Sequence, residues 1–172
     1  MTIALVLATV LVTARQEQAA PPPELKALSF MMGDFSSDMK MYQPGSDQAI
    51  PLVGSITTKE TLGGMWIESR HDGKLGGIAV QALEMITYDP VKKEYVAHWY
   101  DSGGPSSMEL RGHLNDQTLV MTSEPMEFPG MHDKASFRAT YTKSADDLYT
   151  ESVEMDTGQG WSILMDGTMT RK

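Results

Sequence analysis

The stretch from Thr87 to Ser102, TYDPVKKEYVAHWYDS, decides the fold. It contains two strand-like runs on either side of an Asp89-Pro90 turn, and Lys92 and Lys93 lie at the tip of that turn. The second run ends in four side chains that could carry chemistry: His98, Trp99, Tyr100 and Asp101. The stretch therefore predicts a β-hairpin and marks a possible site at the end of its second strand.

Runs of the same kind continue on both sides of this hairpin, from Gly33 to the end of the sequence. They alternate apolar and polar residues and are separated by turn residues such as Gly63-Gly64 and Asn115-Asp116. We expect about ten strands: Asp34 to Tyr42, Leu52 to Leu62, Met65 to His71, Ile78 to Tyr88, Glu94 to Asp101, Ser107 to Leu114, Thr118 to Pro125, Lys134 to Lys143, Leu148 to Met155 and Trp161 to Arg171. Short connections favour antiparallel neighbours, and a long meander loses its unpaired edges by closing on itself. The sequence predicts an all-β fold, a closed antiparallel up-and-down barrel, with a two-sheet sandwich as the alternative.

The alternation also indicates how the faces divide. In the fourth strand both faces are apolar, which is typical of a barrel with a partly apolar lumen and a covered outer patch. In the last strand one face is predicted to hold Trp161, Ile163, Met165, Gly167 and Met169.

The residues before the strands divide into three segments. Thr2 to Val12 form an apolar run of the length of a signal-peptide core, so residues 1–14 are predicted to be a signal peptide, although no basic residue precedes the run. Residues 15–23 end in consecutive prolines and read as a linker. Glu24 to Met32 is expected to be a short amphipathic helix, with Leu25, Leu28 and Met32 at helical spacing. We expect an exported protein, periplasmic or secreted, with one barrel domain over residues 24–172; the alternative for the apolar run is a retained terminal anchor.

Composition excludes several classes of function. The chain of 172 residues has a formal net charge of −9 and contains no cysteine. Binding to a phosphate backbone requires clustered Lys and Arg, so nucleic acid and anionic membranes are not expected partners. The absence of cysteine excludes disulfides, thiolate metal sites and thiol catalysis. The composition does not predict an oligomeric state.

Methionine is abundant, at 14 residues, and histidine occurs four times without metal-binding spacing. Met126, Met131 and His132 lie near one another in sequence, but copper sites cluster their sulfur atoms more tightly. We therefore predict no metal site, and we interpret the methionines as core filler or as the wall of an adaptable pocket.

A ligand site is predicted in the barrel lumen. His98, Tyr100 and Arg70 are the expected polar contacts, and Trp66, Trp99 and Met85 the expected apolar walls. The prediction depends on which side of each strand faces inward, because a shift of one residue exchanges every member of the set for its neighbour. If His98 and Tyr100 point to solvent, the pocket belongs to the side of Trp99.

Nucleophilic catalysis is not predicted. The chain contains no GxSxG motif and no strand-to-helix turn that would raise a serine for attack. Acid or base chemistry would need a group with a shifted pKa in a cleft, which a sequence does not display.

Several local patterns together resemble the domain-of-unknown-function 1579 family. They are Leu28 to Gly33, the Leu62 to Gly64 segment, the Tyr88 to Ser102 block and the terminal Met169 to Lys172, and the resemblance covers nearly all of Glu24 to Lys172. It implies a lipocalin-like barrel with a short helix at one end and no established activity. Barrels of the wider calycin group close their base with a Gly-x-Trp and an Arg, and the matching residues here are Gly33, Phe35 and Arg171. This likeness implies a structural role for all three.

The chain also resembles, more distantly, nitrobindin-like haem barrels, which hold haem through a histidine late in the chain. No histidine follows His132, so no cofactor is expected. The leading hypothesis is binding of a small, largely apolar molecule in the lumen. The alternatives are a solid barrel that serves as a structural or protein-interaction module, and an enzyme that acts on its bound ligand.

Overall fold

Ten antiparallel strands form a closed barrel in a computed structural model that describes residues 20–43, 48–127 and 133–172. The strands are β1 Gly33–Tyr42, β2 Ala49–Thr61, β3 Trp66–Leu75, β4 Ile78–Asp89, β5 Glu94–Asp101, β6 Ser107–Asn115, β7 Thr118–Thr122, β8 Ser136–Lys143, β9 Leu148–Asp156 and β10 Ser162–Arg171. Each strand pairs with the next along the chain, and β10 pairs with β1 to close the ring. The predicted fold is confirmed. The predicted signal peptide and the linker up to residue 19 lie outside the described residues.

The N-terminal helix is a 3₁₀ helix, Pro23–Met31, rather than the α-helical segment that the sequence predicts over Glu24 to Met32. A 3₁₀ helix has three residues per turn, so Leu25, Leu28 and Met31 lie on one side. All three are buried, whereas Met32 is only partly buried. The true spacing of the buried residues is three, which an α-helical reading of the sequence misses. A second 3₁₀ turn, Leu62–Gly64, joins β2 to β3.

The N-terminal helix packs at one end of the barrel, which we call the closed end. The hydroxyl of Tyr95 donates a hydrogen bond to the carbonyl of Glu24 at 2.9 Å. The ring of Phe30 meets the edge of Tyr149 at 5.9 Å between centroids, and Phe35 meets it at 5.1 Å. Aromatic rings and the apolar side of the helix therefore fill this end.

Gly33, Phe35 and Arg171 lie together at the closed end. Phe35 is fully buried, and the guanidinium carbon of Arg171 lies 4.6 Å from the centroid of its ring. The same guanidinium donates to the carbonyl oxygens of Met32 and Phe30. Gly33 has a φ of +114°, and a Cβ there would lie 2.6 Å from an Arg171 nitrogen. The arginine thus ties the last strand to the end of the helix.

The last strand does not keep one face throughout. Its pairing with β9 shifts between Ile163 and Met165, which marks a β-bulge. Ile163 is therefore 52% exposed and Trp161 lies outside under Arg138, while Met165 faces the lumen. The prediction that Trp161 and Ile163 share a face with Met165 is wrong, because the bulge reverses the alternation after those residues.

No helix in the part of the chain that the structure describes is long and apolar enough to cross a membrane.

Candidate functional site

The half of the barrel away from the helix encloses a cavity of about 460 Å³. It opens between the β5–β6 loop and the neighbouring strand ends, where Gly103, Gly104 and Ser106 form part of the rim. Its walls are mostly apolar and rich in methionine: Met39, Met41, Leu52, Trp99, Met108, Leu110, Met126, Val153, Leu164 and Met165. The cavity is therefore shaped by adaptable side chains that fit irregular apolar surfaces.

The bottom of the cavity is polar. We call Glu84, Tyr141 and Glu151 the polar floor: all three side chains are buried, Tyr141 and Glu151 line the cavity, and Glu84 lies behind that lining, bonded to Tyr141. The Tyr141 hydroxyl donates to a Glu84 carboxyl oxygen at 2.7 Å. Tyr141 lies directly opposite Glu151 on the adjoining strands β8 and β9. Alternation along each strand turns these polar groups inward, in line with apolar neighbours such as Ile86 and Tyr149.

Burial governs the protonation of the two carboxyl groups. Removal from water raises the pKa of Glu84 to about 7, against a smaller opposing effect of its hydrogen bond from Tyr141. Removal from water and then the charge of Glu84 raise the pKa of Glu151 to about 8. Burial also raises the pKa of Tyr141. Burial therefore keeps both carboxyl groups protonated to a higher pH than usual, Glu151 more so than Glu84.

His71 lies next to the floor on β3 and lines the same cavity. Its ring meets the edge of Trp99 at 5.0 Å between centroids. Burial lowers the pKa of His71 to about 4, although the charge of Asp72 acts in the opposite direction. The imidazole is therefore neutral at physiological pH, with one nitrogen able to accept a hydrogen bond.

Three buried side-chain atoms among the described residues have no hydrogen-bond partner: His71 Nε2, Glu84 Oε2 and Glu151 Oε2. Buried polar groups in proteins are nearly always paired, so each of these atoms requires an explanation. All three belong to the polar floor or to the wall beside it. By contrast, the buried Thr58 and Ser69 hydroxyls at the same level pair with each other at 3.0 Å.

The charges around the cavity have one sign. Asp101 and Glu151 line it, and no Lys or Arg belongs to the described lining. Asp72 also borders the cavity, but its side chain lies on the outer face, where it accepts a hydrogen bond from Gln81. The described residues also contain no group of three or more His, Asp or Glu positioned to hold a metal ion. Met131 and His132, weighed above as copper ligands, lie outside the described residues.

Of the six residues predicted to line the lumen, only Trp99 does so. The backbone of β5 points Ala97 and Trp99 inward, so their neighbours His98 and Tyr100 point outward, where Tyr100 is 44% exposed. Met85 lies on the outer face of β4, between the buried residues Glu84 and Ile86. The predicted facing of His98, Tyr100 and Met85 is therefore wrong, and the pocket belongs to the side of Trp99.

Trp66 and Arg70 also lie on the outer face, so their predicted facing is wrong for the same reason. Trp66 alternates with the buried Ile67, and its ring packs against His98 at 5.9 Å between centroids. Arg70 is exposed and donates to a Glu68 carboxylate oxygen at 2.7 Å on the same outer face. These aromatic and charged residues cover the outside of the sheet.

The floor residues and His71 are not among the residues predicted from the sequence. A signal for Glu151 exists, because β9 alternates Tyr149, Glu151, Val153 and Met155 on one face, and a carboxyl in such a row is predicted to be buried. Glu84 gives no such signal, because β4 is apolar on both faces. His71 lies between charged residues, so the alternation does not show that its side chain points into the lumen.

Comparison with known proteins identifies relatives of the fold but no function. A family model described as "Protein of unknown function (DUF1579)" matches residues 20–171. The crystal structure of Rv2717c from M. tuberculosis matches with a TM-score of 0.68 at 12% sequence identity, covering 89% of this chain and 99% of that one. This likeness concerns the fold alone. No curated protein sequence matches the chain.

Proposed function

The chain belongs to the DUF1579 family of proteins of unknown function, and on that premise we propose that its barrel binds one small, largely apolar molecule in the lumen. The observation that carries the proposal is the cavity of about 460 Å³ with methionine-rich walls and a polar floor. Ligand pockets are typically concave and mainly apolar, with a few convergent polar groups, and span roughly 300 to 1,000 Å³. The ligand's polar end would meet the floor, and its apolar body would contact Trp99 and the methionines.

The hollow interior favours binding over a solid interaction barrel. A barrel that serves only as a scaffold is expected to fill its interior to the usual protein density. It also gains nothing from buried carboxyl groups that lack partners, since such groups cost stability. The described lumen has both an unfilled interior and, at its floor, buried carboxyl groups with unpaired oxygens. A site for a molecule with a polar end requires both features.

Binding can be tested with prodan, a neutral apolar dye whose emission shifts to the blue in apolar surroundings. We expect one dye per chain to bind and to lose its site in Ala82→Trp, because Ala82 lines the cavity and the larger ring would fill it. The matched control is Leu83→Trp, since Leu83 points to the opposite face, beside Arg70 and Tyr100. Equal dye binding by both variants would contradict a luminal site. Native mass spectrometry of mildly extracted protein would then show whether a cellular molecule is retained.

Acid–base chemistry on the bound molecule is a second candidate, favoured by the raised pKa of Glu151 beside the cavity. A carboxylic acid with a pKa near neutrality can both give and take a proton at physiological pH. The test is to incubate the retained ligand with the protein in deuterium oxide. Deuterium that enters a carbon position with the unaltered protein and not with Glu151→Gln would support catalysis, and no exchange in either would leave a binding protein.

We further propose that the protein is exported, on the strength of the apolar run from Thr2 to Val12. Protein purified from the organism that makes it would then begin at Arg15. An intact mass that includes residues 1–14 would overturn the proposal.

A further inference from the structure

We propose that the molecule bound in the lumen carries a protonated amine, which sits on the polar floor. This inference rests on the proposed binding function and names the chemical class of its ligand. It follows from three features of the described lumen: unpaired buried acceptors, a single sign of charge, and aromatic and thioether walls.

The unpaired atoms match the donors of an ammonium group. Glu84 Oε2, Glu151 Oε2 and His71 Nε2 lack partners in the described chain, and all three are able to accept a hydrogen bond. A primary ammonium offers three N–H donors and no acceptor. A carboxylate or phosphate head group would instead place acceptors against acceptors.

Among the described residues, the titratable side chains that face the floor include no Lys or Arg. His71 faces it from β3, Glu84 from β4, Tyr141 from β8, and Glu151 with Tyr149 from β9, while β1 and β10 contribute the uncharged Ser37 and Gly167. Arg171 lies at the closed end over Phe35. Asp101 adds negative charge nearer the rim. An anionic ligand would lose its hydration here without gaining a counter-charge, whereas a cation would gain two carboxylates.

The walls suit the rest of such a molecule. Trp99 presents its ring to the cavity beside His71, and the electron-rich face of an indole attracts a cation or its adjoining methylene groups. The methionine side chains then enclose an apolar body of variable shape.

Binding of an ammonium should be coupled to proton release. Burial holds the carboxyl groups of Glu84 and Glu151 protonated to a higher pH than usual, and a bound cation favours their ionised forms. Amine affinity should therefore rise with pH until the floor carboxyls ionise without help, at about pH 8. It should fall again when the free amine loses its proton, near pH 10 for an alkylamine, by analogy with lysine, whose pKa is about 10.4.

The test uses three probes that differ only in the head group: phenylbutylamine, phenylbutanol and phenylbutyrate. Isothermal titration at pH 7 in two buffers of different ionisation enthalpy gives both affinity and proton release. We expect the amine to bind about tenfold or more tightly than the alcohol, with release of a proton, as charge-assisted hydrogen bonds predict. Phenylbutyrate should bind more weakly than the alcohol.

Glu151→Gln tests the assigned partner, because the amide has nearly the same shape and cannot ionise. The variant should lose the preference for the amine and its proton release, so that the amine binds no better than phenylbutanol. Glu109→Gln is the matched control, since Glu109 lies on the outer face beside Arg111 and should change nothing. A thermal melt of each variant establishes that it is folded.

The outcomes separate this inference from the proposed function. If phenylbutanol or prodan binds and the amine binds no better, or if Glu151→Gln keeps the amine preference, the amine assignment is overturned and the binding function stands. If neither the three probes nor prodan binds, both are overturned. Amine preference with proton release, lost in Glu151→Gln alone, supports both.

Discussion

The two ends of this barrel use buried polar groups in opposite ways. At the closed end the guanidinium of Arg171 is stacked on Phe35 and bonded to the carbonyls of Phe30 and Met32. Toward the open end, in the polar floor, Glu84 and Glu151 each keep a buried oxygen that has no partner among the described residues. The hydrogen-bonded guanidinium at the closed end stabilises the fold. The unpaired carboxyl oxygens of the polar floor lower its stability unless a ligand pairs with them.

The largest expected effect concerns the closed end. Phe35→Ala should lower the free energy of unfolding by about 3 to 5 kcal/mol, because it leaves a cavity under Arg171 and removes the ring contact with Tyr149. Urea unfolding measures the change. Tyr100→Ala is the control, an exposed aromatic whose loss should cost about 0.5 kcal/mol or less. A melting temperature for Phe35→Ala within about two degrees of the unaltered protein would contradict the role of Phe35.

Gly33 should matter through both its backbone and its neighbour. Gly33→Ala should cost about 2 to 3 kcal/mol, because φ is +114° and the new methyl group would displace the Arg171 guanidinium. Gly77→Ala isolates the backbone contribution, since its φ is +93° and no described residue lies within 4 Å of the added Cβ, and it should cost about 1 kcal/mol. Equal losses in the two variants would show that the contact with Arg171 contributes nothing.

The polar floor should make the folded protein less stable as the pH rises. Between pH 4.5, the ordinary pKa of glutamate, and about 8, the folded protein holds protons at Glu84 and Glu151 that the unfolded chain has released. The free energy of unfolding therefore falls through this window. His71 opposes the trend between about pH 4 and 6.5, because only the unfolded chain binds its proton there, so the decline should be steepest above pH 6.5.

Glu151→Gln should flatten this decline and stabilise the protein at pH 8 by on the order of 2 kcal/mol, because the amide has no charge to bury. Melting temperatures at pH 5 and pH 8 measure the effect, with Glu109→Gln as the exposed control. A wild-type protein whose stability is level from pH 6.5 to pH 8 would mean that the floor is hydrated or already paired.

The smallest expected effect distinguishes two neighbours on β5. Trp99→Ala should weaken prodan binding by about tenfold, since it removes an aromatic wall of the cavity. Tyr100→Ala, on the outer face, should leave the affinity within about twofold, as is usual for residues outside a contact. The reverse result would place the site on the outer face, where Trp66 and His98 lie.

The strands could be predicted closely because their signals are local. The bounds of β5, Glu94 to Asp101, follow from the turn residues before and after it, and the observed strand has the same bounds. Which side chains of β5 face the lumen could not be predicted, because β5 carries large side chains on both faces and Trp66 packs against His98 on the outer face. The sequence therefore does not show which set of alternate residues in β5 points into the lumen.

The polar floor could not be predicted from the sequence either. Its members come from β4, β8 and β9, and the Tyr141 to Glu84 bond joins residues 57 positions apart. Closure of the ring brings them together, so no local pattern records the contact. The bulge in β10 is similar, since nothing in the alternation before Met165 shows that the strand changes face.

The seam between β1 and β10 has a consequence for how the chain folds. Every other strand pair is a neighbour in sequence, but the hydrogen bond from Arg171 to Met32 spans 139 positions. Local hairpins form first and pay little entropy of loop closure, whereas this seam closes the longest loop in the described chain. The contacts of Arg171 should therefore slow unfolding. Arg171→Ala should speed unfolding in stopped-flow urea jumps and leave the folding rate nearly unchanged. A slower folding rate would instead place the seam in the folding nucleus.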